Sequence, residues 1–541
     1  MASSNPRSGA RARFRLLLAA AALLCLACQA RPTAEAGGGI LVVATGADFT
    51  GPNELLSASR IDSEVRSNLF LRLLQEQPDY HHHPPTFAPE LARDWAFSED
   101  RLTLTFALRD DVLWSDGVPV TAEDVRWTWQ AQTAPEVGWS WAYAKEAIRD
   151  VEVVDPHTVR FHFSRAYPTQ LLDVNEGFIL PRHAWGRLPL GEWRQRADWF
   201  LDHLVVSGPF TIARWQPQQE LVLAPNPRYF ESGLPRLERA VFRVLPEESA
   251  RLAQLLAGQI HVMEGIPPGQ AARVAAHPEL DLQALWSRQY SYIVWNACRP
   301  LFAEPEVRRA LTLAIDRQGL IEALYEGYAR IATSPILSSV WAHDDSLQPW
   351  PYDPQEARRL LAAQGWRDGD GDGILDRDGQ PFRFELSTNT GNQLRRDALV
   401  LIQEQLRRAG IDAAPRFLDG QALTAANTAH DFDATLSGWA IDTSLDVRYA
   451  FHSSEIDDGY NFGCYANPEV DALIERIAGT QEPRDAEPLF HRLQHLLHRE
   501  QPYTFLWEPQ WLVGLDRRIE GASPNALLTF FDLERWHLRP R

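Results

Sequence analysis

Between Leu102 and Leu108, apolar side chains fall at every second position: Leu102, Leu104, Phe106 and Leu108 alternate with Thr103, Thr105 and Ala107. A period of two gives each set its own face of a strand, so this stretch predicts a half-buried strand. A Trp-Ser-Asp-Gly turn follows at 114–117. Thr121, with Asp124 three residues on, then marks a helix start as a short-armed capping box. Elsewhere the period lengthens to that of a helix. Val307, Leu311, Ala314 and Ile315 share one face behind Pro305. Leu399, Ile402 and Leu406 line a helix over 397–409 that Gly410 stops. The pattern predicts further helices over 64–74 and 353–363, and strands over 40–44 and 382–386. Strands and helices alternate along the chain, which argues for α/β architecture. There is no internal repeat.

The N-terminus differs from the rest. Arg7, Arg11, Arg13 and Arg15 precede a short apolar run at 16–26, too short to span a bilayer comfortably. The run closes on Leu26-Ala27-Cys28, which resembles a bacterial lipoprotein signal. That resemblance implies a signal peptide over 1–27, lipidation of Cys28, and stable anchoring through more than one acyl chain. Cys25 stands where such signals usually carry Leu. The alternative is an ordinary cleaved signal with two incidental cysteines. Residues 28–39, ending in three glycines, read as a flexible tether. Either reading places the protein in the periplasm or on the outer face of the cell membrane.

With 541 residues, the chain is too long for one ordinary domain. Its formal net charge is −19, and the segment before Cys28 holds four arginines and no acid, so the exported part is more acidic still. Such a balance argues against nucleic acid and favours neutral or cationic solutes. Lys145 is the only lysine, a composition bias given no functional weight. In an exported chain Cys298 and Cys464 could pair, but sequence separation does not give distance, so the pairing stays open.

The order over 89–129 is distinctive: PELARDW, then LRDDVLWSDG, then TAEDV. It resembles the extracellular solute-binding proteins of family 5, which serve peptide-type ABC importers. SGPFTIARWQPQQELVLAPNPRY at 207–229 and YSYIVWNACRPLFAEPEVRRALTLAID at 290–316 resemble later blocks of the same family. The resemblance implies an α/β, two-lobed periplasmic-binding-protein fold with an extra subdomain in the first lobe. It places the first lobe at 40–75, 204–296 and 502–541, the subdomain at 76–203, and the second lobe at 297–501. It also implies a monomer that closes by a hinge around its ligand and works with ABC permease subunits in the inner membrane. FTGPN at 49–53 departs from the family's usual Leu-Asp-Pro, so the cleft edge differs there.

Within DFDATLSGWAIDTSLD at 431–446, Gly438, Trp439 and Asp442 match the family's cleft motif. The resemblance implies that Asp442 pairs with a peptide's α-amine, since an ammonium withdrawn from water needs a fixed anion. The competing reading is that Asp442 caps a turn. Leu436 stands where some oligopeptide binders carry Arg. Tyr292, Trp295 and Asn296 are second-rank ligand candidates, with core packing equally open for Trp295. DGDGDGILDRDG at 368–379 resembles a calcium loop, with Asp368, Asp370, Asp372, the Ile374 carbonyl and Asp376 as ligands. Position twelve is Gly379 instead of Glu, and a polar turn is the alternative. Any calcium there would be structural; no other cofactor is called for. His81–His83 read as a solvated loop. No nucleophile elbow, Cys-x-x-Cys or His-Glu-x-x-His motif is present, so nothing calls for an enzyme. The expected function is peptide capture for an ABC importer. The alternatives are an oligosaccharide binder, for which some of the nineteen Trp would stack sugars, or a non-transport sensor or hydrolase.

Overall fold

The computed structural model describes residues 38–57 and 59–540, so the signal segment and Cys28 lie outside the described residues. One strand, Tyr503–Asp516, organises both lobes. Its first part pairs antiparallel with Gln289–Trp295, from Tyr503 opposite Val294 to Trp507 opposite Ser291. Its last part pairs with Val262–Glu264 and, on the other edge, with Leu280–Trp286. On the second-lobe side the sheet continues through Ala434–Ala440, Arg383–Asn389 and Asp412–Leu418. On the first-lobe side it runs through Ile40–Thr45, Arg239–Val244, Glu220–Pro225 and Phe210–Gln216. The partners change over between Trp507 and Gln510, where Pro509 can give the ladder no N–H. A further strand, Ala329–Ile331, pairs across this point, with Ile331 opposite Trp507 and Ala329 opposite Pro509.

The extra subdomain is a four-stranded antiparallel sheet in the order Ala92–Phe97, Thr103–Leu108, Thr158–Phe163, Ile148–Asp155. Leu104, Phe106 and Leu108 are fully buried, as the alternation predicts; Leu102 sits outside the strand and is exposed. Helix Ala122–Thr133 starts where the capping pattern put it. The Asp124 carboxylate accepts the Thr121 amide at 2.9 Å and the Arg182 amide at 3.1 Å. The subdomain shares one hydrophobic core with the first lobe, with Phe106 and Trp114 in the same cluster as Leu41 and Phe242. The second lobe has its own core around Trp295, Leu311, Leu399 and Leu436.

The expected helix over 64–74 is corrected. The helix is Arg60–Arg66, and the apolar run behind it is not helical. Its carbonyls are taken by other segments: Asn68 accepts from Phe210, Leu69 from Ser207 and Gly208, Leu71 from Ile179, and Leu73 from Ala92. A buried chain that serves as a junction for three segments cannot also close its own helical ring. The remaining helices lie close to expectation. Pro305–Leu313 buries Val307 and Leu311, and Pro354–Ala363 is capped by Asp353. Gln393–Arg408 begins four residues early because Asn392 accepts the Arg395 amide at 3.0 Å and caps it.

Cys298 and Cys464 are joined, with Cα atoms 5.5 Å apart. The bridge lies beside the Ala297 to Gly463 hydrogen bond and ties the entry of the second lobe to a loop 166 residues on. Closing so long a loop restricts the unfolded chain, and loss of such a bridge costs about 2–5 kcal/mol. The Cys298→Ser/Cys464→Ser variant should therefore unfold at lower denaturant, with near-native circular dichroism before the transition. An unchanged unfolding midpoint would show that the bridge contributes nothing.

Candidate functional site

Strand Ala434–Ala440 lies antiparallel to Gln289–Trp295, with Gly438 opposite Ser291 and Trp439 opposite Tyr290. A Cβ on Gly438 would stand 2.6 Å from Arg395 Nη2 and 2.9 Å from the Tyr290 carbonyl oxygen. Backbone cannot yield there, so only glycine fits. Trp439 faces the other way. Its ring lies near-parallel to Tyr292 at 6.1 Å and edge-on to Tyr449 at 4.9 Å, with Tyr460 at 6.0 Å. Tyr292 stacks in turn on Tyr503 at 4.3 Å.

Beyond the strand, Ile441 is buried and Asp442 turns toward the first lobe. Asp442 Oδ1 accepts the Ser444 amide at 3.0 Å and the Ser444 hydroxyl at 2.5 Å. Its Oδ2 has no partner among the described residues. The two sequence readings of Asp442 are thus compatible: one oxygen caps a turn and the other is left open.

The first lobe supplies the opposite wall. Thr443 donates to Glu76 Oε1 at 2.6 Å, a direct lobe-to-lobe bond. Burial raises Asp173 to about 7, and the Asp442 charge adds to the rise. Tyr143 and Tyr449 are raised by burial and by the same charge. Asp446 is raised by burial and by Asp442, although its side chain stays open to solvent. The junction therefore gathers carboxylates from both lobes beside a wall of aromatic rings. Lys145, passed over in the sequence, is fully buried and holds this wall's shape. Its ammonium donates to the carbonyls of Asp173 at 2.5 Å, Val174 at 3.1 Å and Glu176 at 2.8 Å. Burial lowers it to about 8.

Sequence reasoning missed Glu76, Tyr143 and Asp173. No local pattern marks them, because only the fold brings them to Asp442. Trp295 packs in the core that holds Leu311 and Leu399, and Asn296 is fully buried. Trp295 Nε1 donates to Thr504 Oγ1 at 3.0 Å. Asn296 donates to the His430 and Phe432 carbonyls and accepts the Cys298 amide, which engages both ends of its amide. The carboxylates of Asp368, Asp370 and Asp372 come within 4.8 Å of one another and are exposed. They accept amides of their own loop: Gly371 and Gly373 bond to Asp368, Asp372 to Asp370, and Ile374 to Asp372. Asp376 turns back to the Gly369 amide at 2.8 Å. In the His81–His83 run, the first two rings pack at 4.3 Å and His83 turns to the Pro84 carbonyl.

Two lobes joined by a crossing strand, with an acidic and aromatic junction between them, make up the two-lobed fold of periplasmic binding proteins. The model for bacterial extracellular solute-binding proteins, family 5 middle, matches residues 86–459, and the chain belongs to that family. The oligopeptide-binding protein AppA of Bacillus subtilis is 28% identical over 508 residues, covering 93% of this chain and 92% of that protein. The glutathione-binding protein GsiB of Salmonella typhi is 26% identical, covering 91% and 94%. The structure of AppA in complex with a nonapeptide superposes with a TM-score of 0.78 over 93% of this chain and 99% of that one, at 28% identity. CtaP of Listeria monocytogenes shares the fold, with a TM-score of 0.81 at 22% identity over 93% of this chain and 99% of that one. Members of this family bind substrates and are not enzymes. Among the described residues no helix is long and apolar enough to cross a membrane.

Several acids of the first lobe and its subdomain share the raised state of Asp173. Burial is the main cause, and it lifts Glu54, Glu64 and Glu534 to about 7 and Glu90 to about 8. An acid whose folded pKa is raised binds its proton more tightly in the folded state. Its contribution is full below the ordinary carboxylate range and is lost as pH rises through the folded value. Two groups oppose this. His498, lowered by burial, adds stability as pH rises toward 6.5. Lys145 acts the same way only from about 8 upward. Five acids outweigh one imidazole, so the melting temperature of the ligand-free protein should fall from pH 5 to pH 8. Calorimetry at constant ionic strength reads this directly, and Glu54→Gln or Glu90→Gln should flatten the slope. A melting temperature that holds or rises across the window would contradict the assignment.

Proposed function

We propose that the protein is the binding component of an ABC importer for peptides and that Asp442 takes the ligand's α-ammonium in the closed cleft. The open Oδ2 of Asp442 carries this reading. It stands at the lobe junction, its companion oxygen fixed by Ser444, with Asp173 and Asp446 adding negative potential. A cation drawn out of water is stabilised only by such fixed partners. Trp439, packed among Tyr292, Tyr449, Tyr460 and Phe462, gives the junction an aromatic wall beside the anchor. Peptide main chain can be held by backbone hydrogen bonds that ignore side-chain identity. The similarity to AppA, solved with a nonapeptide, supports the same class of ligand. Closure of the two lobes buries the ligand and presents the closed form to a permease. Cys28, lipidated, holds the protein at the membrane.

Removing one partner of a buried charge pair costs about 2–5 kcal/mol, or roughly thirtyfold to several-thousandfold in affinity. Asp442→Ala should lose that much for free peptides and little more for N-acetylated ones, and the wild type should itself discriminate against N-acetylated peptides. Calorimetric titration of both peptide forms against both proteins reads all of these differences. Equal binding of free and acetylated peptides by the wild type would reject the ammonium anchor and favour the oligosaccharide reading.

The anchor has its own test. Cys28→Ala should leave the protein unprocessed or release it from the membrane fraction. A variant that still partitions and migrates like wild type would refute lipidation at Cys28.

A further inference from the structure

Asp344 lies far in sequence from the Asp442 anchor and is unusually well fixed. Its Oδ1 accepts the Ser346 amide at 2.9 Å, and its own amide donates to Gln494 Oε1 at 3.2 Å. Gln494 gives its Nε2 to the Ala342 carbonyl at 2.8 Å. The loop is thereby pinned to helix Glu487–Glu500, which carries His491 and His495. Asp344 Oδ2 faces both imidazoles, 2.9 Å from His495 Nε2 and 4.0 Å from His491 Nδ1. Residues four apart on a helix project to the same side, so one carboxylate oxygen and two imidazoles meet over one turn.

We propose that Asp344, His491 and His495 form a site for a divalent transition-metal ion of zinc type. Two imidazole nitrogens and one carboxylate oxygen suit such an ion, with water in the fourth position. The set is a poor one for calcium or magnesium, which take oxygen ligands. In a tetrahedral site with bonds of about 2.0–2.1 Å, neighbouring ligand atoms lie ~3.3 Å apart. The two observed edges, 2.9 and 4.0 Å, fall on either side of that value. The edge between the imidazoles is the one the ion must draw in, because only the acidic loop brings three ligand atoms within 4.8 Å among the described residues. The His491 and His495 side chains are 35% and 53% exposed, so their rings can turn without repacking the core. The carboxylate needs no such movement, since the Ser346 amide already holds it and Gln494 fixes the backbone beneath it; partners of this kind tune metal affinity.

The site's position gives it a consequence for the whole molecule. The same loop carries Trp341, whose amide donates to the Tyr80 carbonyl at 3.0 Å. Tyr80 comes from the other lobe's side of the chain and packs into a second-lobe cluster. An ion at Asp344 would stiffen the platform that receives Tyr80.

Zinc chloride titrated calorimetrically into the purified protein at pH 7.5, in a non-chelating buffer, tests this. The wild type should bind one zinc ion at this site with micromolar affinity. His491→Ala, His495→Ala and Asp344→Asn should each weaken it at least tenfold, about the smallest loss that even outer-shell partners give. Replacing His81, His82 and His83 by Ala, or Asp368, Asp370 and Asp372 by Asn, should leave that binding unchanged, which separates the site from the two other candidate donor groups. Zinc should raise the melting temperature of the wild type and not of the His491→Ala/His495→Ala variant, whose metal-free melt checks its folding. Absence of zinc binding at millimolar zinc would overturn the proposal, as would full retention of binding by the double His variant. In either case Asp344 would serve only as a hydrogen-bond partner for the imidazoles.

Discussion

Both lobes hang on one run of backbone hydrogen bonds, the strand Tyr503–Asp516. Its two ends belong to different parts of one sheet, and its partners change over around Glu508 and Pro509. A continuous ladder resists bending because every residue would lose a bond. Pro509 removes one donor at the changeover, and the register with Gln289–Trp295 shifts between Ser291 and Tyr292. Ala329–Ile331 pairs across that point, from Trp507 to Pro509, and carries the sheet from one side of the crossing to the other. Glu508, buried at the same place, is held by Arg330 at 2.8 Å and by the Ser338 hydroxyl at 2.8 Å. These contacts add to the pairing with Ala329–Ile331 at the crossing.

Everything at the ligand junction depends on that arrangement. Asp442 and Thr443 follow a strand of the second lobe, while Glu76, Tyr143 and Asp173 belong to the first lobe and its subdomain. Their convergence is a property of the closed relation between the lobes. The junction places several carboxylates where water is scarce, which raises their pKa values and leaves the site short of positive charge. Under the proposed function that shortage is a source of specificity, because a cationic ligand relieves it and an anionic one worsens it.

Legibility in the sequence followed the range of the interactions. Leu104, Phe106 and Leu108, the Asp353 cap and the Gly410 stop are set by neighbours within a few residues, and pattern alone located them. The run at 67–74 misled because its apolar residues have helical density, while its carbonyls serve distant segments that pattern does not show. For Gly438 the sequence offered only a family resemblance; the physical reason for the glycine, the Arg395 guanidinium and Tyr290 carbonyl against it, needed the fold. Lys145 was dismissed as composition, and its role became visible only when three carbonyls were seen around its ammonium.

The same lysine has a practical corollary. It is the one lysine in the chain, and it is 2% exposed. The folded surface is therefore blank to reagents that seek ε-amines. A lysine introduced on each lobe could be labelled without background from native side chains, so the opening and closing of the two halves could be followed optically on a protein otherwise left as it is.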